Sequence, residues 1–370
     1  MPFPDLPAML DDIERLVTCE SPSSDHAAVA ASADMLARIG ERLLGVPPER
    51  IVRDGWTHLR WRFGRGPARV LLLGHHDTVW RLGSLATHPY TVEGDVLRGP
   101  GCFDMKAGVV MALHAVAALG DRAGVTILIT GDEELGSPSS RTLIEDEAAG
   151  CAAALVLEAS ADGGALKTER KGVSLYQVRV KGRAAHAGLE PERGVNATVE
   201  LAHQILAVAG LADAERGTSV TPTVLSAGAT ANSVPAAGQF AVDVRVRSAA
   251  EQSRVDERMR ALESAVEGSV VEVLGGPNRP PMEAESSAAL FARAQKVAAT
   301  LGLAPLAAAA VGGASDGNFT AGAGVPTLDG LGAVGGGAHA DTEHVRIGEL
   351  PGRTALVSAL VADLLTDVRR

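Results

Sequence analysis

The periodicity of the chain changes at about Gly172 and changes back at about residue 280, and this break constrains the fold more than any other feature. Before it, strand-like segments fall at 58–63, 70–74, 125–130 ("VTILIT") and 153–158 ("AALVLE"), and helical spacing covers about 7–18, 25–44, 106–119 and 139–148. Helices between short apolar strands predict a parallel or mixed sheet covered on both faces. After Gly172, "VSLYQVRVKG" alternates like a half-exposed strand, and "VNATVELAHQILAVAG" reads as an amphipathic helix. The strands "SVTPTVLSAG" and "GQFAVDVRVR", a helix at about 250–265 and the strand "SVVEVL" (269–274) complete a βαββαβ order, the ferredoxin-like arrangement. Helical stretches at 286–301 and 349–367 then surround a glycine-rich region, 312–337.

With 370 residues, two cores are expected rather than one. The simplest architecture is an α/β domain made of both chain ends, 1–171 and 280–370, with an α+β domain inserted at 172–279. A net charge of −11 argues against nucleic acid or an anionic membrane surface as partner. Part of that charge suits a carboxylate cluster that holds metal. Cys19, Cys102 and Cys151 are odd in number and lack a C-x-x-C spacing, so a reducing compartment is expected, with Cys102 read as a small semi-buried side chain. The opening "MPFPDLPAML" has no basic n-region, and no run approaches the ~18 apolar residues of a membrane span. A cytoplasmic location is the expectation.

The chemistry-bearing residues gather where apolar segments end. In "VLLLGHHDTV" (70–79), alternation along a strand puts His75 and Asp77 on one face and His76 on the other. A metal-bound imidazole usually gives its second N–H to a carboxylate, so His75 with Asp77 behind it fits a ligand pair, with His76 as a rival one residue away. "GPGCFDMKAG" (99–108) places Asp104 before a helix, where a helix N-cap is the ordinary role. Lys106 lacks the frame of a phosphate-binding loop. "TGDEELGS" (130–137) ends a strand with three consecutive acids, which repel one another unless exposed or neutralised by a cation. Glu158 ends a further apolar strand, and His339 lies in "GGGAHADTEH". Ligands of such sheets collect at the strand carboxyl ends, and imidazoles mixed with carboxylates suit a pair of zinc-like ions.

Taken together, G-H-x-D-T-V, G-P-G-x-x-D-x-K, D-E-E-x-G-S, the strand-end glutamate and the late histidine resemble the dizinc metallopeptidases and deacylases. That family includes glutamate carboxypeptidase (carboxypeptidase G), acetylornithine deacetylase, succinyl-diaminopimelate desuccinylase and aminoacylase, and the likeness covers nearly the whole chain. The resemblance implies a mixed-sheet catalytic domain with an inserted ferredoxin-like dimerisation domain. It implies two divalent metal ions, most simply Zn2+ with Co2+ or Mn2+ as alternatives. His75 and Glu158 would complete one metal site and Glu134 and His339 the other, with Asp104 bridging them and Asp77 orienting His75. Glu133 would be the general base. The family also implies a cis peptide between Asp104 and Met105.

"GRAAHAGLEPERGVNA" (182–197) resembles the segment in which a histidine, here His186, reaches the active site of the partner subunit in a homodimer and stabilises the oxyanion. "ATANSVP" and "VDVRVR" supply Asn232 and Arg245 at substrate-contact positions; a solvated strand charge is the other reading of Arg245. Arg279 in "GPNRPP" is either a further carboxylate contact or a surface charge at a hinge. The remaining histidines, such as His26, His58 and His114, match no motif and read as structural or surface residues. "VEGD…GPG", "DEELGSPSSR" and "AHAGLEPERGVNA" look closest to the glutamate carboxypeptidase branch. The expected reaction is therefore release of a C-terminal, glutamate-like amino acid from a peptide or N-acyl amino acid. An N-acyl amino-acid deacylase is the alternative within the enzyme class, and a catalytically silent binding protein is the alternative outside it.

Overall fold

Apolar residues without interruption give strands that are buried on both faces, and the central sheet is built on two of them. The first half of the chain supplies β1 (Glu49–Arg53), β2 (Trp56–Arg62), β3 (Val70–His75), β4 (Val125–Thr130) and β5 (Ala153–Val156). Every residue of β3 and β4 is buried in the computed structural model, which describes residues 4–367. Leu72 packs into one core with Met9, Ile13, Leu36 and Ile127, whereas Leu71 and Leu73 pack into a second core with Leu128, Ile144 and Phe319. That division is the two-residue alternation of a strand covered on both sides. The helices that supply the cover are α1 (Leu6–Val17), α2 (His26–Leu44), α3 (Ala107–Ala117) and α4 (Arg141–Ala148). Asp25 starts α2 by accepting the N–H groups of Ala27 and Ala28, and Gly45 ends it with φ of 75°.

The middle of the chain forms the ferredoxin-like order: β6 (Gly172–Lys181), α5 (Ala197–Ala209), β7 (Ser219–Ala227), β8 (Ala237–Val246), α6 (Ala249–Arg260) and β9 (Val270–Arg279). Its sheet runs β7-β8-β6-β9, each neighbouring pair antiparallel. Val178, Val180, Phe240 and Val242 face the helices and meet Leu201 and Val255 in a separate core. The chain then adds α7 (Ala284–Thr300), α8 (Gly317–Gly322), β10 (Thr327–Leu328) and α9 (Leu350–Asp367). β10 pairs with β5, giving the sheet order β1-β2-β4-β3-β5-β10. The pairs from β4 to β10 are parallel and those of β1 and β2 antiparallel, so the sheet is mixed. Two compact units result: one takes its described residues from Met1–Glu169, Met282–Val311 and Ser315–Arg370, the other from Arg170–Pro281 and Gly312–Ala314. No helix among the described residues is long and apolar enough to cross a membrane.

Among the differences from the sequence expectation, two element ends and one omitted strand have identifiable reasons. α6 ends at Arg260 rather than about 265, because a buried glutamate of α5 claims the next turn. Glu200 accepts the N–H groups of Ala265 and Val266 and the hydroxyl of Ser269. β9 extends to Arg279, which is 8% exposed, so the reading of Arg279 as a surface charge at a hinge does not hold. β1, "ERIVR", is a largely exposed edge strand whose charged residues carry no apolar alternation, and the sequence reading omitted it.

Candidate metal centre

Each candidate ligand sits just beyond a strand or turn of the first unit, for a local reason. His75 is the last residue of β3. Glu158 follows β5 by two residues, and Glu133 and Glu134 open a short 3-10 turn beyond β4. Asp104 lies in a tight turn before α3, entered through Gly101 at φ of 67°, where a Cβ would come within 2.3 Å of Cγ2 of Thr78. The helix N-cap is Lys106 and has no side-chain capping bond, so Asp104 does not have the capping role that its position in sequence suggested. The peptide between Asp104 and Met105 is cis, as the resemblance implied.

The geometry turns on the two oxygens of Asp104. Oδ1 lies 3.4 Å from Nε2 of His75, and Oδ2 lies 3.3 Å from Nε2 of His339. Nε2 of His75 is also 3.4 Å from Oε1 of Glu158, and Nε2 of His339 is 3.2 Å from Oε2 of Glu134. Two groups of donor atoms result, His75–Asp104–Glu158 and Asp104–Glu134–His339, each with its atoms within 4.8 Å of one another. They share Asp104. His339 has φ of 62°, a region that side-chain-bearing residues rarely adopt.

The electrostatics fit a cation. Burial alone would lower the pKa of His75, but Asp104, Asp77 and Glu158 outweigh it and hold the imidazole well above its ordinary range. Asp104 and Glu134 push His339 up to about 10. Burial raises Glu134, and its Oε1 is a buried oxygen with no hydrogen-bond partner. An acceptor left unpaired in the interior is costly unless something positive sits beside it. Mixed imidazole and carboxylate donors, with one carboxylate placed to bridge, suit two divalent ions of the zinc type.

The neighbours sort the ambiguous residues. His76 points away: Nδ1 meets the hydroxyl of Ser32 at 3.1 Å, Nε2 meets the carbonyl of Thr57 at 3.0 Å, and burial lowers its pKa to about 4. It is a buried structural histidine. Nδ1 of His75 lies 3.0 Å from the backbone carbonyl of Asp77 and 3.5 Å from its Oδ1, so backbone and side chain of Asp77 both face the ring. The run of three acids separates by burial and bonding. Asp132 accepts both N–H and hydroxyl groups of Ser139 and Ser140, whereas Glu134 meets His339 and the adjacent Glu133 is buried. Asp316 accepts the hydroxyls of Thr130 and Ser137 and so holds the other end of the same loop. Neither Asp132 nor Asp316 was singled out as a positioning residue in the sequence; "GASDGN", polar residues inside a glycine-rich stretch, is the signal that marks Asp316.

The remaining candidates belong to the second unit. His186 is exposed, its Nδ1 accepts the N–H of Gly188, and the N–H of Ala187 donates to the carbonyl of Asn232, which brings the two candidate segments together. Arg245 and Arg279 both stand opposite Val173, on β8 and β9, on the sheet face away from the helices. The fork of Arg245 is bidentate to Asp243 at 2.8 and 2.9 Å, and both side chains of the pair are about one-third exposed.

Comparison with known proteins gives the same direction. Carboxypeptidase G2 from Pseudomonas sp. (strain RS-16) is 32% identical over 97% of this chain and 89% of its own. A succinyl-diaminopimelate desuccinylase from Rhizorhabdus wittichii is 33% identical over 34% of each chain. The fold matches the crystal structure of the YXEP protein of Bacillus subtilis, described as a dinuclear metal-binding peptidase of the M20 family, with a TM-score of 0.68 and 17% identity over 98% of this chain and all of that one. Residues 71–363, which include every candidate ligand, match the model of peptidase family M20/M25/M40, and the chain belongs to that family of metal-dependent hydrolases.

Proposed function

We propose that this protein is a two-metal amidohydrolase that releases a C-terminal, glutamate-like amino acid from a peptide or N-acyl amino acid. The observation that carries the reading is the division of Asp104 between the two donor groups, one oxygen to each. His75, Asp104 and Glu158 would hold one ion and Asp104, Glu134 and His339 the other, with Zn2+ favoured and Co2+ or Mn2+ as substitutes. Ions in these positions would supply an activated water and polarise the scissile carbonyl. Glu133, buried beside Glu134, takes a proton from the attacking water as the new C–O bond forms, and returns it to the nitrogen as the C–N bond breaks. Asp77 keeps the His75 ring oriented.

The inserted unit would carry recognition and dimerisation. Arg245 and Arg279 provide two guanidinium groups for a substrate carboxylate, with Asn232 as a further polar contact. Arg245 takes that role by exchanging Asp243 for the substrate. We assign His186 to the oxyanion of the partner subunit's reaction in a homodimer. Support comes from its exposure and from exposed apolar side chains of the same unit, including Leu189, Leu206 and Val224. The three free cysteines fit the cytoplasm.

The local likeness to desuccinylases favours one second reading, an N-acyl amino-acid deacylase with the same chemistry and a different pocket. A panel of N-acyl amino acids and dipeptides, assayed for amine release with and without chelator, separates the two. The first reading expects preference to follow the C-terminal amino acid, with glutamate best; preference that follows only the acyl group supports the second.

A further inference from the structure

Glu343 lies four residues after His339 and is 3% exposed. Its Oε1 accepts the backbone N–H groups of Phe103 at 2.9 Å and Asp104 at 3.0 Å. Its Oε2 accepts the N–H of Gly101 at 3.0 Å and the indole N–H of Trp80 at 2.6 Å. All four partners are donors, so the buried carboxylate is satisfied by hydrogen bonds at both oxygens. A buried carboxylate that receives three N–H groups of a single turn fixes where that turn sits. The turn is the one that presents Asp104.

The segment that brings Glu343 there also carries His339. The N–H of Ala340 donates to the carbonyl of Gly337 and that of Glu343 to the carbonyl of Ala340, so the chain makes two successive turns between Gly337 and Glu343. Gly337 makes this possible: its φ is 75°, and a Cβ would lie 2.7 Å from the backbone of Thr342. His339 therefore meets the side chain of Asp104, at Oδ2, while Glu343 holds the backbone of the same residue.

We propose that Glu343 is the positioning residue for the bridging carboxylate, locking the turn 101–104 so that each oxygen of Asp104 faces one metal site. The inference rests on the two-metal reading above. Because Asp104 belongs to both sites, a displaced turn weakens both ions, whereas a residue supporting only His339 would weaken one. Carboxylates and backbone groups that orient metal ligands typically change affinity by about 10–100-fold when altered.

The test titrates metal-free protein with Co2+, reading visible absorption for coordination and a competing chelator dye for affinity, with circular dichroism as the check on folding. Wild-type protein is expected to take up two equivalents. Glu343→Gln keeps the shape of the side chain but turns an NH2 group towards donors, and both affinities are expected to fall by about 10–100-fold with a changed cobalt spectrum. Trp80→Phe removes one donor without touching the turn and should produce a smaller loss of the same kind, which keeps the test usable if Glu343→Gln does not fold. Wild-type affinities and spectra in folded Glu343→Gln and Trp80→Phe overturn the proposal alone. Wild-type protein that takes up no Co2+ overturns the two-metal reading and the proposal with it.

Discussion

Asp77 accepts the backbone N–H of Glu133 through Oδ1 at 3.3 Å, while its Oδ2 accepts the N–H of Glu134, also at 3.3 Å, and the hydroxyl of Ser23 at 2.6 Å. A residue expected only to orient His75 thus also anchors the loop that carries the proposed base, Glu133, and the proposed ligand Glu134. Asp77→Asn would set an NH2 group against a donor. Metal affinity and kcat are both expected to fall, by about 10–100-fold, measured by dye competition and steady-state kinetics. Loss at the His75 site alone would confine Asp77 to orienting that ring.

Glu133→Gln is expected to lower kcat by about 10²–10⁴-fold while two metal equivalents remain bound, since the carboxamide preserves shape but cannot accept a proton. The same variant tests the dimer. Mixed with His186→Ala under conditions that exchange subunits, it forms a species with one intact composite site, so activity should recover towards half of the wild-type dimer's for that species. Proven exchange without recovery would remove His186 from the partner's reaction.

His75→Ala should lose metal and activity together. His76→Ala should keep both, at a stability cost of about 1–3 kcal/mol for the unpaired hydroxyl and carbonyl left at Ser32 and Thr57. Elemental analysis of the two purified variants decides the assignment; equal metal loss contradicts it.

This separation of His75 from His76 was legible because a strand end has only two faces. So was the gathering of Asp104, Glu133, Glu134, Glu158 and His339 at the ends of apolar or glycine-rich segments, whereas their division into two metal sites came only from the family resemblance. The supports were not legible. Asp316 and Glu343 act through hydroxyls and backbone N–H groups contributed by distant segments, such as Glu343 with the turn 101–104, and no local pattern records such a pairing. The early end of α6 has the same origin, since Glu200 caps a turn 65 residues away. β1 was missed because an exposed edge strand has no apolar face to reveal it.

Glu251 gives a pH dependence outside the metal centre. Arg254, with Arg216 and the hydroxyl of Thr218, holds its pKa at about 2 against burial, below an ordinary value of 4.5. A carboxyl whose pKa is lower folded than unfolded binds protons more readily when unfolded. Its contribution is therefore complete above about 4.5 and is lost as pH falls towards 2. Glu251→Gln is expected to cost about 1–3 kcal/mol at neutral pH and to flatten the acid side of the Tm–pH curve in that window. A parallel shift of the curve at every pH would show that the carboxylate's charge contributes nothing.

The most direct measurement of the central claim is amino-acid release from an N-acyl glutamate by metal-free protein as Zn2+ is added back. The account predicts no turnover without metal, and full turnover only when two equivalents are bound, because Asp104 gives one oxygen to each site. Full turnover in the chelator-treated protein, or a maximum reached at one equivalent with no further change, would contradict a two-metal mechanism.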